Sequence, residues 1–443
     1  MKFSKFNLFV NDSELPENRF ILCNTLSGEF FLVDDRLKQN FESGDLGFIS
    51  EEQIPLFVKS GVLVEDADLD ETLFLSYAHN LEKYSNRVLN LTILLTMACN
   101  LRCVYCYEGA GIVSSESLTD EVRASIFSFV KNQIKYRKSD NVSICLFGGE
   151  PLFGFQNNVG FLRQIQALCK EDDLGFSTSI VTNGVLVNRK NLDLLVELNC
   201  NYVQITLDGI KDFHDKRRIT PNGGGSFEET LRGIKTVVAE QRLSNPVIRI
   251  NIDKTNVENA YELLDYLKKE ELDCCAIDFG IVKGTTAACA SYSGNCFLEE
   301  ELGEILFPLW EKVKALGFSG GDDTKPFRRN AFCGLYGDSA FTIAPNGDLY
   351  KCWDHVNDNV HKMGKIGKDG EFLDVTKAYF KWMNRNPYYI KECRECVYLP
   401  TCGGGCAAIS YNNTNDYNSP GCHKVKTVFE KQIISRYKNL HKK

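Results

Sequence analysis

The sequence predicts an α/β protein: a partial (β/α)6 barrel, preceded by a small winged-helix-like module and followed by a cysteine-rich domain. Three observations carry that prediction. Six apolar strand runs alternate with helical patterns between residues 89 and 283, which specifies a parallel sheet covered by helices. Residues 1–88 carry instead a hairpin and then short helices. From residue 331 the chain turns to short strands, many glycines and seven of its 18 cysteines.

Length and charge narrow the function. A chain of 443 residues exceeds one ordinary core and calls for two or three domains. A net charge of -8 argues against a nucleic-acid partner, because neutralising phosphates takes a basic surface. No apolar run is long enough for a membrane span, and MKFSKFNLFVNDSELPE lacks the apolar core of a signal peptide. The expectation is a cytoplasmic protein with no membrane partner, where thiols stay reduced. Eighteen cysteines then point to metal ligands, not disulfides. Eight of them are scattered and read as small core residues.

The elements follow in order. NRFILCNTL and EFFLVDD form the hairpin about a Ser-Gly turn; DDRLKQNFESG, SEEQIPLFVKSG and DETLFLSYAHNLEKYSN read as helices. The barrel strands are LNLTILLT, VSICLF, STSIVT, YVQITL, VIRINID and AIDFGIV. Between them, TDEVRASIFSFVKNQIK, GFLRQIQALCKE, SFEETLRGIKTVVAEQR and VENAYELLDYLKKE read as helices. Residues 284–330 read as a patternless bridge. Residues 331–443 form the cysteine-rich domain, which builds little core without metal, and KVKTVFEKQIISRYKNLHKK closes it as a solvated basic helix.

Chemistry in such sheets gathers at the carboxyl ends of strands. Cys99, Cys103 and Cys106 follow the first barrel strand with the spacing C-x3-C-x2-C. They stop one ligand short of the four that hold a cubane or a structural zinc, and no His stands near enough to complete a zinc site. A [4Fe–4S] cube held by three thiolates leaves one iron free to bind a reacting molecule. GGEP (Gly148 to Pro151) ends the second strand, TNG (Thr182 to Gly184) the third and TLDG (Thr206 to Gly209) the fourth, with HDKRR (His214 to Arg218) after it. Each alone is an ordinary turn. Together they resemble the radical S-adenosylmethionine (SAM) enzymes.

That resemblance implies roles residue by residue. Cys99, Cys103 and Cys106 hold the catalytic cube, whose open iron chelates the amino and carboxylate groups of SAM. Gly148, Gly149 and Glu150 accept hydrogen bonds from the amino group. Thr182, Asn183, Thr206 and Arg218 serve the ribose and carboxylate, the Arg fork suiting a carboxylate. Tyr105 shields the cluster or packs on a ligand's ring. A low-potential donor such as flavodoxin or ferredoxin supplies the electron that cleaves SAM, and the resulting 5'-deoxyadenosyl radical abstracts hydrogen.

Cys333, Cys352, the run CRECVYLPTCGGGC (Cys393, Cys396, Cys402, Cys406) and Cys422 offer only one C-x2-C pair, where a zinc ribbon uses two. Residues 331–423 resemble the SPASM extension of radical SAM enzymes, which implies two auxiliary [4Fe–4S] clusters. Cys393, Cys396, Cys402 and Cys422 would hold the outer one; Cys333, Cys352 and Cys406 would hold the inner one. Either Asp338 completes the inner set, or that cluster stays open to a substrate thiolate.

Enzymes with this extension mostly modify peptides or proteins. The expected reaction is crosslinking of a ribosomally made precursor peptide, foremost through Cys-sulfur-to-carbon thioethers of the ranthipeptide or sactipeptide type. A carbon–carbon cyclophane is the alternative, and oxidation of Cys or Ser to formylglycine in a sulfatase is the third. Sulfatase maturases place an Asp directly after the second SPASM cysteine; here Trp353 stands there and Asp354 follows. In an extended segment that step turns the side chain to the opposite face. Residues 1–88 resemble a leader-recognition element, which takes a precursor's leader as an added strand at a sheet edge. A plain electron carrier needs no six-strand barrel.

Overall fold

The computed structural model describes residues 1–443 except 14, 67–68, 110–113, 285–286, 321–327 and 442–443. The chain opens with β1 (Lys2–Phe3), then an antiparallel meander of β2 (Asn7–Val10), β3 (Arg19–Asn24) and β4 (Phe30–Asp34). α1 (Asp35–Ser43) starts where the Asp34 carboxylate accepts from the Leu37 amide, and stops at Gly44, whose φ of 73° suits a residue without Cβ. α2 (Gln53–Lys59), β5 (Leu63–Val64, paired with β1) and α3 (Glu71–Lys83) follow. Leu22, Val33, Phe57 and Val62 form their small core.

α3 is bound into the rest of the molecule. The buried Lys83 ammonium donates to the Met383 and Arg385 carbonyls, and Asn386 Nδ2 donates to Ser76 Oγ (3.1 Å). Excising residues 1–88 would therefore strip a wall from the cysteine-rich part.

The barrel runs β6 (Val88–Thr96), β7 (Arg102–Cys103), α4 (Asp120–Arg137), β8 (Asn141–Gly148), α5 (Pro151–Glu171), β9 (Gly175–Thr182), α6 (Arg189–Glu197) and β10 (Cys200–Thr206). It continues with α7 (Lys211–Arg217), β11 (Arg218–Ile219), α8 (Phe227–Val238), β12 (Val247–Ile252), α9 (Val257–Lys269) and β13 (Ala276–Ile281). Six of these strands lie parallel in the order β6-β8-β9-β10-β12-β13. Along them, fully buried residues such as Ile144, Ile180, Ile205 and Ile250 alternate with half-buried Ser143, Cys145, Ser179 and Arg249. The first set packs under the helices, and the second lines the interior.

Two expectations need correction. Residues 284–330 are no patternless bridge: they contain α10 (Leu302–Ala315), which packs on α9 and leads to β14 (Ser319–Gly320), paired parallel with β13. Leu302, Leu306, Leu309, Trp310 and Val313 form a buried helical stripe that Pro308, inside the helix, disguises in the sequence. The C-terminal α15 (Lys426–His441) is not a solvated helix either. It packs on α10 and β3, burying Val428, Phe429 and Ile433, because its basic residues occupy only the remaining faces.

The cysteine-rich part holds β15 (Ala340–Ile343), β16 (Asp348–Tyr350), β17 (Gly364–Ile366), β18 (Phe372–Leu373), α11 (Lys377–Asn384), α12 (Lys391–Arg394), α13 (Leu399–Cys402) and α14 (Ala407–Thr414). β15 pairs parallel with β6, so the barrel sheet runs on through β15-β16-β17-β18 to 11 strands. Among the described residues no helix is long and apolar enough to cross a membrane.

Candidate active site

The loop after β6 is pinned at both ends before any ligand is considered. β7 pairs antiparallel with β11, placing Cys103 opposite Arg218, and the Val104 amide donates to the Arg217 carbonyl (3.0 Å). On the other side the Gly149 and Glu150 amides donate to the Thr96 and Ala98 carbonyls (2.9 and 3.0 Å). That approach demands glycine. A Cβ at Gly148, whose φ is 124°, would meet Thr96 O at 2.2 Å, and one at Gly149 would meet Met97 O at 2.4 Å.

Glu150 ties two strand ends together. Its carboxylate caps α5 through the Leu152 amide (3.0 Å) and accepts from the Thr182 hydroxyl (2.6 Å) and the Asn183 amide (2.8 Å). Asn183 Nδ2 in turn donates to Asn100 Oδ1 (2.7 Å), inside the cysteine loop. The Glu150 carboxylate and Thr182 hydroxyl are thus engaged with each other, which leaves the turn's backbone to face a ligand. Thr206 is buried at the end of β10.

Tyr105 centres a second network. Its hydroxyl donates to Asp208 and accepts from Arg218 Nη1 (2.7 Å) and Asn251 Nδ2 (3.2 Å). Asp208 and Asn251 are site residues that sequence reasoning passed over. Asp208 lay within the quoted TLDG, and Asn251 within the strand run VIRINID, where its chemistry was hidden by the apolar alternation. Arg217, beside Arg218, joins the network from the side: it donates to Asp253 (2.6 Å), stands 3.6 Å from the Asp208 carboxylate and stacks over the Tyr105 ring.

His214 supports this network from behind. Its Nδ1 accepts from the Asp208 amide (3.2 Å), so the proton sits on Nε2, toward Ser226 Oγ (3.1 Å), whose own hydroxyl donates to the Arg218 carbonyl (2.6 Å). Burial first, and then Arg218, hold its pKa down at about 3, against an ordinary 6.5. A histidine depressed on folding gives stability that is complete above the unfolded value and is lost as pH falls toward the folded one. Between pH 6.5 and 5 the metal-free chain should lose about 2 kcal/mol from this group. Urea unfolding at the two pH values checks it, and H214Q should flatten the slope by that share.

Cys99, Cys103 and Cys106 are each half-buried thiols on one loop. Burial pushes the Cys99 and Cys106 thiols up to about 12, with Glu150 and Glu108 adding to it. Loading a metal there must displace protons. Arg218 Nε is buried with no hydrogen-bond partner, next to Cys103. Three thiols on one loop, with a buried, unpartnered guanidinium Nε beside Cys103, fit an anionic cluster carrying a carboxylate ligand.

None of the 18 cysteines forms a disulfide. Cys393, Cys396, Cys402 and Cys422 line a cavity of about 120 Å³. Among the described residues no three His, Cys, Asp or Glu side chains converge closely enough to hold a single ion, so a ring of thiols round a cavity suits a cube better than zinc. Cys333, Cys352 and Cys406 group separately, each within electrostatic reach of another. Asp338 does not join them. Arg137 and Tyr379 (3.0 Å) hold its carboxylate, so it is not a fourth ligand.

Asp354 corrects another expectation. Trp353–His355 form a 3-10 turn, not an extended segment, so the opposite-face argument fails there. Asp354 is half-buried, and desolvation by the surrounding protein pushes its carboxyl above its ordinary range, with Lys283 and Arg249 opposing the shift. It lies near Glu108, whose pKa burial first and Asp354 second raise to about 7.

A family model of the radical SAM superfamily matches residues 93–267, the span from β6 to α9 that carries the three-cysteine loop. The barrel is that of a radical SAM enzyme. Radical SAM enzymes use a [4Fe–4S] cluster and SAM. The cysteine-type anaerobic sulfatase-maturating enzyme of Clostridium novyi is 25% identical over 370 residues, 76% of this chain and 92% of that enzyme. Two solved structures share the fold at 18% identity. Native anSMEcpe with bound AdoMet has a TM-score of 0.61, covering 79% of this chain and 98% of its own. Streptococcus suis SuiB bound to precursor peptide SuiA has a TM-score of 0.53, covering 96% of this chain and 99% of its own.

Proposed function

We propose that this radical SAM enzyme is a SPASM-type peptide maturase that closes Cys-sulfur-to-carbon thioethers in a ribosomally made precursor. Cys99, Cys103 and Cys106 hold the cluster that binds SAM, with Arg218 toward the carboxylate, the Gly148–Gly149 turn toward the amino group, and Tyr105, Thr182, Asn183 and Thr206 around the nucleoside. That cluster and SAM supply a radical that abstracts hydrogen. The chain's own residues exclude water and hold the target C–H, through the half-buried lining of Ser143, Ser179 and Arg249. The seven C-terminal cysteines hold two auxiliary clusters.

One observation carries the thioether reading: the inner set offers three thiols, and Asp338, the candidate fourth ligand after Cys333, is bound to Arg137. An open iron there would take a substrate thiolate, deprotonated and aligned. The sulfatase-maturase names of relatives such as the Clostridium novyi enzyme, together with the half-buried Asp354 beside Cys352, favour formylglycine formation as the second reading. A leader is expected at the β4 sheet edge or on the exposed apolar stripe of α3, Leu73, Tyr77 and Leu81. A precursor lacking its leader should bind the full chain more weakly.

The test is chemical. The product should be lighter than the precursor by two hydrogen atoms per link, and an alkylating reagent should find one thiol fewer. Full alkylation of a crosslinked product would leave the cyclophane; capture by an aldehyde reagent would leave formylglycine.

A further inference from the structure

Arg385, just past α11, is 0% exposed and makes every donor count. Nε donates to Tyr336 Oη (2.6 Å), Nη2 to the Gly404 carbonyl (2.6 Å), and Nη1 to the carbonyls of Tyr417 and Ser419 (2.7 Å) and to Ser410 Oγ (3.3 Å). Each acceptor is neutral. Among the described residues Arg385 forms no ion pair, and the carboxylate of Asp338 is taken by Arg137. A second buried cation, Lys83, donates to the Arg385 carbonyl (2.8 Å). An arginine stays charged in any protein, and a buried charge without a counter-charge is costly. The structure therefore holds positive charge whose partner is missing from the protein itself.

Its contacts say where that partner belongs. Gly404 lies in the three-residue loop between Cys402 of the outer set and Cys406 of the inner set. Tyr417 and Ser419 lead to Cys422, whose segment is fastened by the Cys406 amide donating to the Gly421 carbonyl (2.8 Å). Tyr336 follows Cys333 and passes its own hydroxyl proton to the Gly405 carbonyl (2.9 Å). The guanidinium thus braces loops of both thiol sets.

We propose that Arg385 is the shared buried counter-cation of the two auxiliary clusters and holds the reduction potentials of both above what their thiolates alone would set. This rests on the reading of the seven cysteines as two clusters. An iron–sulfur cube with thiolate ligands is anionic, and adding an electron makes it more so. A fixed positive charge nearby stabilises the reduced state more than the oxidised one. Arg385 acts through the clusters and touches no substrate.

The experiment compares wild type, R385Q and R385K after anaerobic reconstitution, by iron and sulfide content and by potentiometric titration of the cluster EPR signals. R385Q removes the charge and keeps part of the bonding; R385K keeps the charge and loses the fork. Expected are lower potentials for both auxiliary signals in R385Q, potentials near wild type in R385K, and an unmoved catalytic cluster in each. Auxiliary iron lost from R385Q but kept by R385K would also support the charge as the operative feature. R385Q fully loaded with unchanged potentials, or both variants failing to load, would overturn the inference, the second by making the bonding frame decisive. A wild-type chain that binds only about four irons would overturn the two-cluster reading beneath it.

Discussion

The variant C99A/C103A/C106A is expected to bind about eight irons where the intact chain binds about twelve, and to form no 5'-deoxyadenosine under reductant. The loss should be complete because the remaining barrel cysteines, Cys145, Cys169, Cys200 and the adjacent Cys274 and Cys275, lie on separate segments and offer no second three-thiol loop. It should also be clean. The loop is held by the β7–β11 pair and by the Gly149 and Glu150 amides, and none of these bonds uses a cysteine side chain. The barrel core of Ile144, Ile180, Ile205 and Ile250 lies on the other face of the sheet. Circular dichroism should therefore match the parent while SAM cleavage, followed by chromatography, falls to background. Residual cleavage would place the catalytic cluster elsewhere.

A second triple variant, C333A/C352A/C406A, should separate the two halves of the reaction. It is expected to lose about four irons and all crosslinked product, yet still to cleave SAM when reduced. Burial makes the prediction sharper than sequence alone allows. Cys352 is enclosed between β16 and the Trp353–His355 turn, and Cys406 begins α14, so each alanine leaves a small apolar gap without exposing a charge. Such gaps cost about 1 kcal/mol each, which a chain with this much core tolerates. Adding a Cys-bearing precursor to the intact enzyme should perturb the inner cluster's spectrum, and a precursor with Ser in place of its cysteines should not, since a hydroxyl is a poor ligand for iron. Product formed by the triple variant would remove the inner cluster from the chemistry.

Much of the barrel was legible because its signals are local. The apolar strand runs, the helical patterns between them and the loop spacings all operate within a few residues. What escaped depends on distant partners. The helix α10 was obscured by Pro308, and its apolar stripe made sense only against α9 and α15. The same holds for α15, whose Phe429 and Ile433 find their core on β3 some 400 residues earlier. Among site residues, the glycines of GGEP and the cysteines declared themselves through type and spacing. Asp208 and Asn251 did not, since a single polar residue at a strand end looks alike whether it faces a ligand or water. Asp338 misled for the converse reason: its place in sequence suggested a ligand, and only Arg137 and Tyr379 reveal its employment.

The joining of β15 to β6 has a mechanical consequence. Parallel strands in register from Ala340–Asn90 to Ile343–Ile93 are spaced about 4.8 Å apart and do not slide without breaking every bond of the ladder. The segment bearing Cys352 and the loop bearing Cys99 thus extend from β16 and β6 of one continuous sheet, with β15 between them. If both cysteine sets hold clusters as proposed, the gap between them is a fixed calliper. Selection of which residues are joined would then fall to the peptide: only a chain able to fold two of its positions to that span could enter both jaws at once.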